Sequence, residues 1–137
     1  MGTDGSDTAA AAVRHAIGLA RVTGAQLHVV SAWAARGAGT AAAAMVLPPM
    51  EPESSGWVRD MVEALADEAR ASGVDVRTHV VEGAPIQALL DVTRSMGADL
   101  LVTGNRGMTG LRGVLGSVPN SLAHRAPCAV LVVPTGG

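Results

Sequence analysis

The sequence has no lysine, no phenylalanine and no tyrosine, and it holds one cysteine and two tryptophans. Each scarcity excludes something. A single cysteine cannot form an internal disulfide and matches a reducing compartment, so a cytoplasmic location is expected. Two tryptophans leave almost no aromatic platform for stacking single-stranded bases. Ten arginines against twelve acidic residues give a net charge of −2, which lacks the basic excess of a nucleic-acid binder. No apolar run approaches the ~18 residues of a membrane span. The amino-terminal residues lack the basic-then-apolar pattern of a secretion signal. Neither a nucleic acid nor a membrane is therefore an expected partner.

What is present reads as one folded domain over residues 1–137. Hydrophobic residues make up 48% and charged residues 16% of the chain, which argues against disorder. Two kinds of periodicity alternate. Residues 7–23 space Val13, Ala16, Ile17 and Ala20 as one helical face, with Ser6 or Asp7 to cap it and Gly24 to end it. Residues 26–32 read as an apolar strand rich in β-branched residues. Residues 55–71 place Val58, Met61, Val62 and Leu65 on a second helical face. Residues 75–82 read as a strand, and 85–96 as a helix opened by Pro85 and stopped by Gly97. Strand 99–103, helix 117–125 and strand 128–133 complete the pattern. Alternating strands and helices predict an α/β fold with a parallel sheet covered on both faces. The stretch from Trp33 to Gly56 reads as a long surface insertion, with a lid or partner contact as the alternative.

In open α/β sheets a ligand sits beyond the carboxyl ends of the strands. Two loops there are built for one. The first is Gly2-Thr3-Asp4-Gly5-Ser6. The second runs from Gly104 to Ser117 and holds five glycines in 14 residues. Glycine allows close backbone approach, and successive amides can form an anion nest. Gly116-Ser117 opens a helix whose free N–H groups and dipole favour phosphate. Arg106 and Arg112 add positive charge, and Asp4 is placed to accept hydroxyl hydrogen bonds such as those of a ribose. The same glycines also suit a plain strand-to-helix turn, with Ser117 as an ordinary cap. There is no Gly-Lys-Ser/Thr phosphate loop and no Gly-x-Gly-x-x-Gly after the first strand.

Taken together, Gly-Thr-Asp-Gly-Ser at 2–6, Gly-Asn-Arg-Gly at 104–107, Leu-Gly-Ser-Val-Pro at 115–119 and Ala-Pro-Cys-Ala-Val-Leu-Val-Val at 126–133 resemble the universal stress protein family. The resemblance implies a Rossmann-like, open twisted parallel sheet of five strands in the order 3-2-1-4-5, helices on both faces, and a homodimer formed through the last strand, 128–133. ATP-binding members carry Gly-x2-Gly-x9-Gly-Ser/Thr. Here Gly104, Gly107, Gly116 and Ser117 fit, with a spacer of eight residues from Met108 to Leu115 in place of nine. By resemblance, Thr3 would line the pocket floor, Asp4 would contact the ribose or adenine side, and Ala32 would lie beside the adenine. Gly104, Asn105, Arg106, Gly107, Gly116, Ser117 and the backbone of Val118 would form the nucleotide loop. The expected cofactor is ATP, with or without Mg, and AMP or cyclic AMP fits the same pocket. In the family a strand precedes Gly-Thr-Asp, and it is largely missing from this chain. Either its start was assigned too late, at a GTG codon, or the protein is truncated.

The remaining chemistry-bearing residues read as structural. No catalytic group is assigned. His28 and His79 lie on strands with nothing pairing them at metal-ligand spacing, and no metal site is expected. His15 and His124 read as helix-surface residues. Cys128 reads as packed against a buried strand. Trp33 and Trp57 read as packing residues under the long loop. The expected role is a small stress-response regulator that binds a nucleotide rather than turning it over. The alternatives are a dimeric interaction module without nucleotide and a weak ATPase.

Overall fold

The periodicity of the chain becomes eight alternating elements in the computed structural model, which describes residues 1–3, 5, 7–33, 55–105 and 117–135, without the side chains of Asp7, Thr8 and Ser117. Helix α1 spans Asp7–Thr23, strand β1 Leu27–Trp33, helix α2 Ser55–Ala71 and strand β2 Val76–Glu82. Helix α3 spans Pro85–Ser95, strand β3 Leu100–Gly104, helix α4 Ser117–Arg125 and strand β4 Ala129–Val133. Most of the long insertion lies outside the described residues.

All strand pairing among the described residues is parallel. β1 pairs with β2 from Leu27↔Val76 to Trp33↔Glu82. β3 pairs with β4 from Leu100↔Ala129 to Gly104↔Val133. The described strands thus form two sheets of two strands, where the family resemblance implies one sheet of five. Residues 1–3 lie against both pairs. Val30 donates to the Met1 carbonyl at 2.8 Å, Thr3 donates to the Val30 carbonyl at 2.9 Å, and Gly2 donates to the Val102 carbonyl at 3.3 Å. The amino group of Met1 donates to the His28 carbonyl at 2.6 Å. Burial lowers the pKa of that amine to about 5. Gly2 packs closely on Leu89: a Cβ there would sit 2.7 Å from Leu89 Cδ1 and would push that side chain aside.

Alternation along the strands sorts the core into two clusters. Leu27, Val29, Val76, Val102 and Val133 face α1 and α2, where Val13, Ala16, Ile17, Val58, Val62 and Ala66 are buried. Val30 and Leu101 face the other way, against Leu89 and Leu90 of α3 and Leu122 of α4. Helices therefore cover both faces. Burial of each such Val or Leu contributes roughly 1.5–3 kcal/mol. The inward faces read from helical spacing in α1, α2 and α3 are the ones buried. Trp33 packs against the first cluster, whereas Trp57 is half exposed. Cys128 packs against the second cluster, partly buried.

Candidate functional site

Each described strand pair is parallel, so β1 ends beside β2 and β3 ends beside β4. Thr3 lies one residue beyond the Gly2–Val30 bridge, Ala32 two beyond Val30, and Gly104 two beyond Val102. Helix α4 is joined to the start of β4 by only Ala126, Pro127 and Cys128. It packs on β4 and α3, and this short connection turns the chain back, so Ser117 and Val118 lie at the far end of the helix from the start of β4. The first N–H groups of that helix have no partner within the helix.

Of the residues assigned from sequence, Thr3, Ala32, Gly104, Asn105, Val118 and the backbone of Ser117 are described, the first four at or just past the carboxyl ends of paired segments and the last two at the start of α4. Asp4, Arg106, Gly107, Gly116 and the Ser117 side chain lie outside the described residues. Thr3 is buried, 8% exposed, and its hydroxyl accepts a hydrogen bond from the Gly5 amide at 3.2 Å. Gly5 has φ +78°, a backbone conformation costly for other residues. Next to this turn is a concavity of about 250 Å³ lined by Thr3, Gly5, Ala10, Met61, Ala64, Leu65 and Glu68. It opens between α1 and α2 and does not reach Ala32, Gly104 or Val118. Val118 packs its side chain against the α3–α4 cluster.

Asn105 has a second occupation that its place in the glycine loop did not suggest. Its carboxamide oxygen accepts from the Thr135 amide at 3.0 Å and from the Thr135 hydroxyl at 2.8 Å. Its own amide donates to the Val133 carbonyl at 2.9 Å. The head of the glycine loop is thereby fastened to the chain just after β4. The register Gly104↔Val133 carries this neighbourhood, and register is not visible in a local reading.

The other polar cluster lies on β1 and β2. His28 Nδ1 and His79 Nε2 are 2.9 Å apart, although 51 residues separate them. The sequence reading found nothing to pair these two residues. The parallel register Val30↔His79 does so. Both imidazoles are held below their usual pKa, chiefly by burial. For His28 the neighbouring His79 charge comes next, followed by the Met1 amine and Arg77, with Asp75 acting the other way. For His79 the Met1 amine and Arg77 add to burial. His15 and His124 are exposed. Among the described residues no buried side-chain polar atom lacks a partner, and no helix is long and apolar enough to cross a membrane.

Comparison with known proteins places this architecture. The sequence profile of the universal stress protein family matches residues 1–134. Universal stress protein MJ0531 of Methanocaldococcus jannaschii is 33% identical over 135 residues, which cover 96% of this chain and 78% of that protein. Universal stress protein Rv1636 of Mycobacterium tuberculosis is 34% identical over 139 residues, 98% of this chain and 94% of its own. A universal stress protein solved in complex with cAMP is 33% identical, with a TM-score of 0.75, covering 99% of this chain and 94% of that one. The covered parallel strands and these matches over nearly the whole length agree: the chain belongs to the universal stress protein family.

Proposed function

We propose that the chain is a small, dimeric, cytoplasmic stress-response regulator that binds an adenine nucleotide at the carboxyl rim of its strands. The observation that supports this reading is that Thr3, Ala32 and Gly104 each stand at or just past the carboxyl end of a parallel-paired segment, with α4 packed on β4 beside them. Free helix amides and a dipole there favour a phosphate. Gly104, Gly107, Gly116 and Ser117 supply the residue types a phosphate nest needs, and Asp4 supplies a carboxylate for ribose hydroxyls. The residues fit a nucleotide in donor chemistry: amides and arginines for the anionic tail, an acceptor for the sugar.

ATP is the leading ligand on the glycine pattern. Cyclic AMP is the second reading, favoured by the relative of 33% identity solved with cAMP. We read Met1–Thr3 as the central strand that joins the two pairs in the order β2–β1–(1–3)–β3–β4, which is the family order 3-2-1-4-5. Homodimerisation is assigned to β4, whose Val130, Leu131 and Val132 are only partly buried. Nucleotide occupancy would order the loop and shift which partner or oligomer is favoured. Binding, not turnover, is the proposed output.

Calorimetric titration of nucleotide-free protein with ATP (with and without Mg²⁺), AMP and cAMP tests this. Gly116→Val should weaken the preferred nucleotide by about 100-fold, roughly the loss of one or two charge-assisted hydrogen bonds. Unchanged affinity would remove the loop from the site. No heat with any nucleotide would leave the interaction module. Steady phosphate release at saturating ATP would instead make the protein an ATPase.

A further inference from the structure

The edge of the β1–β2 pair carries a polar cluster that the nucleotide reading does not use. His28 and His79 lie on the same face of adjacent parallel strands, two residues out of register, since His28 pairs with Arg77 and His79 with Val30. Their nearest ring nitrogens, His28 Nδ1 and His79 Nε2, are 2.9 Å apart. The ring centroids are 5.2 Å apart and the planes 24° from parallel.

The tautomer of His28 follows from its neighbours. Its Nε2 is 2.9 Å from Gln26 Oε1, and an amide oxygen can only accept. The orientation of Gln26 is fixed in turn, because its Nε2 donates to Asp75 Oδ2 at 2.6 Å. His28 Nε2 therefore carries the hydrogen, and His28 Nδ1 presents a lone pair to His79 Nε2. A chain of carboxylate, carboxamide and imidazole that aims one ring nitrogen is the support that metal-binding histidines ordinarily receive.

The spacing also selects a geometry. An ion held at ~2.0 Å from each nitrogen would see the pair at about 90°. That is a cis angle of square-planar or tetragonal coordination, narrower than a tetrahedral site needs. Among the described residues no group of three or more His, Cys, Asp or Glu side chains could hold a metal ion. The remaining positions would be filled by water, which the partly exposed pair admits.

We propose that His28 Nδ1 and His79 Nε2 form a two-nitrogen site for a divalent transition-metal ion, copper(II) foremost and nickel(II) next. Binding breaks the hydrogen bond between the rings and forms two nitrogen–metal bonds. The Nε2 proton of His79 moves through water to its own Nδ1, so no proton is released and no redox step occurs. The site lies between the amino end of β1, at His28, and the middle of β2, at His79, and does not depend on nucleotide binding.

The test uses the full chain without any histidine tag, freed of metal and titrated with copper(II) chloride. NMR of the histidine ring resonances should show that less than one equivalent broadens His28 and His79 while His15 and His124 stay sharp. Copper electron paramagnetic resonance should report two nitrogen donors in a tetragonal site. His28→Gln and His79→Gln should each weaken binding at least tenfold, and Asp75→Asn should weaken it less. Broadening first at His15 or His124, no broadening at one equivalent, or unchanged affinity in folded His79→Gln would overturn the site. The resonance measurement is made on the unaltered protein, so a variant that fails to fold leaves the answer readable.

Discussion

The two strand pairs spend their polar residues at opposite ends. β1–β2 gathers Gln26, His28, Asp75 and His79 toward its amino end. β3–β4 keeps apolar strands and places Asn105 and Thr135 just past its carboxyl end. Both pairs are held by the same backbone ladder and by β-branched residues packed under helices, so neither polar group is needed to make a strand. The difference teaches that apolar periodicity builds the scaffold, while polar side chains mark where the chain is fastened or open to a ligand. In β3–β4 that place coincides with the proposed nucleotide rim. In β1–β2 it is a separate location.

Removing packing under one pair is the strongest way to break this comparison. Leu122 is fully buried beneath β3–β4, and Leu122→Ala should cost about 2–5 kcal/mol in denaturant unfolding. Trp33 lies on β1, so its fluorescence watches the other pair. Fluorescence and far-ultraviolet dichroism should lose structure in one coincident transition. Two separated transitions would make the pairs independent units and end the idea of a shared scaffold.

A smaller effect should come from the fastening at the rim. Asn105→Ala removes the acceptor of both Thr135 donors, at a cost of about 1–3 kcal/mol. Hydrogen exchange should quicken at the carboxyl end of β4 and leave β1–β2 unchanged. Equal quickening in both pairs would show that Asn105 supports the whole sheet and not one rim.

The mildest effect concerns pH in the metal-free protein. His28 and His79 are depressed below the ordinary imidazole value of 6.5. The unfolded chain therefore binds more protons than the folded one below about 6.5, and stability rises with pH through that window. The Met1 amine, lowered from 8.0 to about 5, adds the same sign between those limits. The melting temperature should fall steadily from pH 8 to pH 5. A His28→Gln, His79→Gln double variant should show a shallower fall below about pH 6.5. An identical slope would mean the pair does not titrate with folding.

The fold was legible because its signals are local. Val58 and Val62 one helical turn apart, Pro85 at a helix start and the β-branched runs at 27–33 and 129–133 each specify their element from neighbours in sequence. The family resemblance added the α/β class with parallel strands covered by helices. What the sequence hid depends on register. His28 meets His79, and Asn105 meets Thr135, only because strands distant in sequence align at particular residue pairs. The same limit applies to the site. Ala32 and Gly104 take their places at strand ends through parallel pairing, Ala32 beside Val81 and Gly104 beside Val133. Asn105 also faces Thr135, and its carboxamide oxygen is occupied there. No periodic pattern would have brought Met61 and Glu68 of α2 to the concavity beside Thr3.

The hydrogen bond from Gly2 to Val102 has a consequence for how the protein comes into being. During synthesis the ribosome makes Gly2 a hundred residues before the partner that its amide awaits. Closing a span of that length is entropically the slowest kind of contact. The apolar side chain of Met1 must wait with it. Nascent chains would therefore carry that short segment half-docked on β1 alone, open to chaperones or to a neighbouring chain, until β3 emerges and the seam closes.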